Sequence, residues 1–322
     1  MSSSGVNKHN GDLSHDRLQE SSLLKPCPCS PGAVACGYYN LNTLSGCPYD
    51  CSYCILQGYL ADKKPQSMPG LDRLEKDLET LKNLPFPRVG NGELADSLAF
   101  PQALEQVPLL LAALRRRPRV VFEFKTKSAN IAPLLAENPA PNIVAAWSLN
   151  PQVIAKLEEK GAPALQERLA AMLAVQERGY RIALHFDPLV IFPGWPELYR
   201  GLVRQIAAAG IRVEAIAWWS LGSLRFPAGL VEHIFRHRDS MLFYGELVDG
   251  FDGKYRYFKP LRLELFRKLK KMIQAVFSTE IPLYLCMEDD EAWAEIFPEC
   301  QADSAEINRR LYQRVIQYSN PA

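Results

Sequence analysis

Short apolar runs alternate with longer amphipathic stretches through most of the chain. "RVVFEFK" (119–125), "NIVAAWSLN" (142–150), "RIALHFD" (181–187) and "VEAIAWWSL" (213–221) are mostly apolar, as strands covered on both faces must be. Between two of them, "PALQERLAAMLAVQERGY" sets Leu165, Leu169, Met172 and Leu173 on one helical face, opened by Pro163 and stopped by Gly179. "PELYRGLVRQIAAAG" (196–210) repeats that design and again ends in glycine. Strand and helix in alternation predict βα units around a parallel sheet. "GYYNLNT" (37–43) and the start of "RVGNGE" (88–93) add two strands, so six units fit. The expected fold is α/β, a partial (β/α)6 TIM-like barrel with C-terminal additions. The expected division is a disordered tail over 1–25, a barrel core over 26–225, and an extension over 226–322 that covers the barrel mouth.

Composition narrows the function. With 322 residues, 48% hydrophobic and 23% charged, the chain can bury a large core. Its net charge is +1, so any nucleic-acid contact must come from a local patch, not from the whole surface. No apolar run reads as a signal peptide or membrane span, and "IPLYLCM" is strand-sized, which predicts a cytoplasmic protein with no membrane partner. Eight cysteines in such a chain are expected to be reduced thiols or metal ligands.

Three of them stand in "SGCPYDCSYCILQGYL" at Cys47, Cys51 and Cys54. A tetrahedral zinc site needs a fourth ligand close by, and the next cysteine is Cys286. A four-iron four-sulfur cube capped by three thiolates keeps one iron open for another ligand. Three incidental core cysteines are the plain alternative, against which Gly46 and Pro48 mark a loop. The CxxxCxxC spacing resembles the signature of radical S-adenosylmethionine enzymes, for which a six-unit partial barrel is typical. That resemblance implies two cofactors, a 4Fe-4S cluster on Cys47, Cys51 and Cys54, and S-adenosyl-L-methionine. It also implies that the Tyr53 ring covers the adenine. "RVGNGE" resembles the superfamily's glycine-rich strand edge, so Gly90, Gly92 and Glu93 are expected at the methionine ammonium, although the same letters alone would make a turn.

Polar groups at strand carboxyl ends are further candidates: Lys125, Lys127, Ser148, Asn150, His185, Asp187, Ser220 and Ser223. Ser148 and Asn150 could bond the cofactor's ribose or carboxylate, or simply form a turn before Pro151. His185 reads as a core histidine bonded to backbone.

"GCPYDCSYCILQGYL", "TKSANIAPLL", "WSLNPQVIAKLE", "AVQERGYRIALHFDPLVIFPGW" and "YRGL" follow in the order expected of spore photoproduct lyases and their relatives, over roughly residues 36 to 290. By that resemblance Lys127 sits where the lyases place a lysine near the cofactor. Two departures imply a relative and not the lyase itself. The lyases carry a hydrogen-donating cysteine in the segment matching 90 to 97, where this chain reads "GNGELADS". They also have a second tyrosine after the last cluster cysteine, where this chain has Ile55. Cys286 in "YLCME" is a candidate replacement donor, with a buried structural cysteine as the alternative. Cys27, Cys29 and Cys36 are irregularly spaced for a second cluster, although a zinc or auxiliary iron site completed from elsewhere is conceivable.

"GKYRYFKPLRLELFRK" (253–268) interleaves Lys254, Arg256, Lys259 and Arg262 with Tyr255, Tyr257 and Phe258, which suits phosphate contact and base stacking, or a helix start with its rings turned inward. "LRRRPR" (114–119) reads as a helix end facing water, and His233 and His237 as a surface pair. Three readings follow: radical chemistry on DNA or a nucleotide, the same chemistry on a peptide or small metabolite, and a non-catalytic iron-sulfur or zinc protein. The first two require an electron donor such as flavodoxin or ferredoxin.

Overall fold

The apolar runs become neighbours in one sheet whose eight strands lie side by side in sequence order. The strands are β1 (Leu24–Pro26), β2 (Tyr38–Leu41), β3 (Arg88–Gly90), β4 (Val121–Thr126), β5 (Ile143–Ser148), β6 (Arg181–Leu189), β7 (Ile216–Ser223) and β8 (Leu283–Leu285). β1 pairs antiparallel to β2, and every other neighbouring pair is parallel. The computed structural model describes residues 22–60, 62–237, 240, 242–250, 252–300 and 302–317. The sheet is an open, curled half-barrel of α/β type.

Strands β2 to β7 are the six expected from the sequence. Both faces are buried: Phe122, Phe124, Ile182, Leu184, Trp219 and Leu221 share one face and are fully buried, while the other carries Val144 and Ala146 beside the buried polar Glu123, His185 and Ser220. A parallel strand has helices on one side and the barrel interior on the other, so neither face meets water. Each large aliphatic or aromatic side chain so buried contributes roughly 1.5–3 kcal/mol. Helix Leu165–Arg178 buries Leu165, Leu169 and Met172 as its spacing requires, while Leu173 is only half-buried.

Two expectations about domain boundaries change. Most of the tail assigned to 1–25 lies outside the described residues, but Leu24 and Lys25 pair with Leu41 and Asn40 as the antiparallel edge β1. The extension assigned to 226–322 is not only a cover. Its "IPLYLCM" supplies β8, which joins the barrel sheet beside β7 with Trp219 opposite Leu283 and Leu221 opposite Leu285. Helix Ser304–Ile316 then packs on the sheet's other end, where Tyr312 Oη donates to Arg119 O at 2.9 Å. Residues near the mouth form a small sheet of Arg225–Pro227, Lys254–Tyr257 and Leu247–Asp249. Among the described residues no helix is long and apolar enough to cross a membrane.

Candidate active site

The cysteine loop is fixed by backbone on three sides. Cys47 N donates to Lys63 O at 3.1 Å, and Gly46 N to Leu94 O at 2.9 Å. Gly46 has φ +84°, and a Cβ there would stand 2.3 Å from Lys64 O, so this turn admits only glycine. On the third side Asp50–Cys51 pairs antiparallel with Glu159–Lys160, Cys51 opposite Glu159. Ser52 N donates to Glu158 O at 2.8 Å, and Gln57 Nε2 donates to Cys51 O.

That loop forms one wall of a cavity of about 240 Å³ at the carboxyl ends of the strands. Cys47, Cys51 and Cys54 line it together with Tyr53, Gly92, Glu93, Asp96, Lys125, Lys127, Ser148, Asp187, Ser223 and Arg225. None of the cysteines is in a disulfide. Burial, with Asp96 nearby, pushes the Cys47 thiol up to about 12, and burial raises Cys51 as well. Iron bound as thiolate would therefore displace protons from both.

Charged groups are paired in depth behind this wall. Glu159 is fully buried, in ion-pair contact with Arg168 at 2.6 Å. Its Oε1 accepts from Asn150 Nδ2 at 3.0 Å and from the Tyr53 hydroxyl. Burial pulls the Lys127 ammonium down, but Glu159 and Cys51 override it and hold this lysine charged. Lys127 Nζ stands 5.6 Å from the centre of the Tyr53 ring, and its backbone N–H donates to Asp96 Oδ2 at 2.7 Å. Across the cavity Arg225 grips both oxygens of Asp187 at 3.2 and 3.3 Å. Although burial opposes it, Arg225 and Lys125 hold the Asp187 carboxyl down at about 2. Glu93 is raised by burial, against a hydrogen bond to Asn42 and the nearby Lys25 and Lys125.

Of the residues singled out in the sequence, Cys47, Cys51, Cys54, Tyr53, Gly92, Glu93, Lys127 and Ser148 reach the cavity, and Gly90, Asn150 and Cys286 do not line it. Gly90 is small for an internal reason: a Cβ there would lie 1.7 Å from the Tyr38 hydroxyl, which crosses over it to Glu123. Gly92 makes room for Lys125, whose Cβ would be 2.7 Å from an added methyl. Asn150 braces Glu159 and Tyr199, accepting from the Tyr199 hydroxyl at 3.0 Å. Cys286 stands behind Arg225, its Sγ 3.5 Å from Nη2. His185 is a core residue as expected, but its partner is the Glu123 carboxylate at 2.7 Å, not backbone.

Asp96, Glu159, Arg168 and Arg225 escaped the sequence reading. Arg225 had one signal, the glycine three residues before it: a Cβ on Gly222 would lie 2.6 Å from the Asp187 carboxylate, so Gly222 leaves that carboxylate the space in which it pairs with Arg225. The basic and aromatic stretch 253–268 follows its inward alternative in part, since Phe258 stays 44% exposed. Arg256 is held by Asp252, Lys259 by Asp289 and Glu291, and Arg262 by Glu288. Tyr257 is fully buried and Tyr255 stacks on Phe226. In "LRRRPR", Arg115 pairs with Glu137 and Arg117 with Glu75, as an exposed helix end does. The side chains of His233 and His237 lie outside the described residues.

The residues fit a three-thiolate cluster site. Three free cysteines share one wall, beside a buried carboxylate and an ammonium that can meet a zwitterionic ligand. Among the described residues, no three Cys, His, Asp or Glu side chains are drawn round one point as a single ion requires.

The family model described as spore photoproduct lyase matches residues 100–219. The curated spore photoproduct lyase of Clostridium acetobutylicum is 25% identical over 182 residues, 55% of this chain and 53% of that one, so the chain spans about half the length of this relative. A spore photoproduct lyase variant solved with dinucleoside spore photoproduct is 20% identical, with a TM-score of 0.71 over 81% of this chain and 79% of that one. A second variant, solved with bound AdoMet and the same dinucleoside, gives a TM-score of 0.69 at 20% identity, covering 87% of each chain. At this identity the structural likeness establishes the fold alone.

Proposed function

We propose that this chain, a spore photoproduct lyase-like protein of the radical S-adenosylmethionine superfamily, generates a substrate radical in the cavity bounded by Cys47, Cys51 and Cys54. The single observation that carries the reading is the convergence of these three thiols on one cavity with Glu93, Lys127, Tyr53 and Ser148. When bound, the 4Fe-4S cluster supplies the electron that splits S-adenosylmethionine into methionine and a 5′-deoxyadenosyl radical. The protein's part is to bind and exclude. Glu93 offers a carboxylate to the methionine ammonium, and Lys127, kept charged by Glu159, offers a cation to the carboxylate. The Tyr53 ring, pinned through its hydroxyl to Glu159, presents a flat face for adenine.

For the substrate we propose a nucleic acid or nucleotide. Lys125 lines the cavity beside the Arg225–Asp187 pair and offers a cation where an anionic backbone can be met. The dinucleoside bound by the structural relatives supports the same class. Repair of the spore thymine dimer is not part of the proposal, because the segment 90–97 has no thiol and Cys286 does not line the cavity. A low-potential donor such as flavodoxin or ferredoxin would deliver the electron.

Anaerobically reconstituted, reduced protein incubated with S-adenosylmethionine is expected to release 5′-deoxyadenosine. Addition of single- or double-stranded DNA is expected to change that rate, and the response should weaken with salt. No 5′-deoxyadenosine from protein with a full cluster would overturn the reading. Turnover indifferent to DNA would overturn the nucleic-acid part and move the substrate to a peptide or small metabolite.

A further inference from the structure

The eight cysteines divide unevenly over the fold. Three line the cavity, and Cys300 lies apart beside Arg310. The remaining four, Cys27, Cys29, Cys36 and Cys286, are brought together from two distant segments. Pro26 lies opposite Tyr39, and Cys27 N donates to Tyr38 O at 2.9 Å, so Cys27 and Cys36 flank the base of one hairpin. Cys29 N donates to Cys27 O at 2.8 Å in a tight Cys-Pro-Cys turn that keeps the two residues together. The hairpin then crosses the residues that follow β8. Ser30 N donates to the Met287 sulfur at 3.2 Å, Val34 N to Glu288 O at 2.9 Å, and Ala33 bridges to Asp289. Cys286, the first residue after β8, thus lies against the loop that carries the other three. All six pairs among the four thiols are within electrostatic reach of one another. None is in a disulfide and all four are partly exposed.

A second, independent observation is an uncompensated buried cation. Arg88 is 1% exposed, its Nε and Nη1 find no hydrogen-bond partner, and Nη2 reaches only the Cys36 carbonyl at 3.3 Å. The guanidinium lies 5.8 Å from the Tyr38 ring and 5.1 Å from the Trp218 ring, which satisfy a cation only in part. A buried charge without a counter-ion is costly, so the position calls for an anion beside Cys36. Arg225, 3.5 Å from the Cys286 sulfur, lies beside the same group, its charge already met by Asp187. Four thiolates outweigh the positive metal core they hold, and the unpaired Arg88 guanidinium offsets part of that excess.

We propose that Cys27, Cys29, Cys36 and Cys286 ligate a second iron-sulfur cluster, with all of its irons held by the protein, beside the cavity that takes the first. A cluster fits better than zinc. Four sulfurs at ~2.3 Å from one zinc crowd to within about 4 Å of each other, and no three ligands are gathered that closely among the described residues. The corner irons of a cube stand farther apart and let their thiolates do so too. The site abuts the first: Arg225 touches Cys286 and lines the cavity, and Cys27 lies within reach of the charges on Glu93 and Lys125, which line it too. The proposal goes beyond the radical chemistry above and stands or falls separately from it.

The test is metal and sulfide counting with Mössbauer spectroscopy on the anaerobically reconstituted full chain and two variants. The parent should hold about eight iron atoms per chain. The Cys47→Ala/Cys51→Ala/Cys54→Ala variant should keep half of them as an intact cluster that does not respond to S-adenosylmethionine. The Cys27→Ser/Cys286→Ser variant should lose the other half and keep the responsive cluster, with an unchanged far-ultraviolet circular dichroism spectrum as the control for folding. Four irons in the parent and none in the triple variant would overturn the proposal, as would one zinc per chain in their place. Failure of 5′-deoxyadenosine formation alone would leave these counts unchanged and so bears only on the proposed reaction.

Discussion

Glu159→Gln tests how the cysteine loop is held. Glu159 and Arg168 have side chains 0% and 1% exposed, and their contact is 2.6 Å. The other two Arg168 nitrogens are already committed, Nε to Pro163 O at 2.9 Å and Nη1 to Ser148 O at 3.1 Å, so the guanidinium cannot turn to find a new anion. In glutamine one oxygen can still accept from Asn150 and Tyr53, but the amide then points two donors at a cation. Breaking a buried pair from one side costs about 3–5 kcal/mol, because the surviving charge stays buried. Part-buried Lys127 loses its main counter-charge as well. Tyr53→Phe, by contrast, removes a single hydrogen bond to a charged group, about 1.5–3 kcal/mol. Anaerobic urea unfolding of iron-free protein, followed by circular dichroism, reads both without interference from cluster loss. A Glu159→Gln cost below about 1 kcal/mol, or one smaller than that of Tyr53→Phe, would refute the claim that this buried pair anchors the loop.

Three other outcomes follow. Gly46→Ala puts a Cβ 2.3 Å from Lys64 O at φ +84°, so reconstituted iron on the first site should fall at least twofold; Gly194→Ala, at φ +78° with open space around it, should leave iron loading unchanged. Arg225→Met should lower stability by about 2–3 kcal/mol at neutral pH. Asp187 is held at about 2 in the fold and titrates near 3.9 unfolded, so the contribution is present above pH ~4 and is lost as pH falls through 2. The gap between parent and variant, measured by urea unfolding across that range, should therefore close with acid; a gap independent of pH would contradict the pairing. Gly92→Ala crowds Lys125 at 2.7 Å and should weaken S-adenosylmethionine binding about tenfold or more, read by equilibrium dialysis on cluster-loaded protein, whereas an unchanged affinity would place the cofactor elsewhere.

The barrel was legible because a strand buried on both faces reads as a mostly apolar run, as "NIVAAWSLN" shows. β8 was missed as a barrel strand because three residues carry no topology, and only pairing with Trp219 and Leu221 reveals its place. The cysteine loop announced itself through local spacing. Its supports did not: Glu159 reaches Cys51 by a strand pair between distant segments, and the Asp96 side chain accepts from the Lys127 backbone N–H thirty-one residues on. Charge patterns misled where pairing partners are remote. Arg262 looked available in "FKPLR" until Glu288, from beyond the next strand, was found to hold its guanidinium at 3.0 Å.

The account depends on S-adenosylmethionine reaching an iron that no side chain of this protein occupies. Electron-nuclear double resonance on the reduced, cluster-loaded protein with S-adenosylmethionine labelled at its amino nitrogen and carboxylate oxygen measures that contact directly. Coupling of both labels to the cluster spin, absent in Cys51→Ala, is the predicted result. An intact cluster on Cys47, Cys51 and Cys54 that shows no coupling to either label would contradict it.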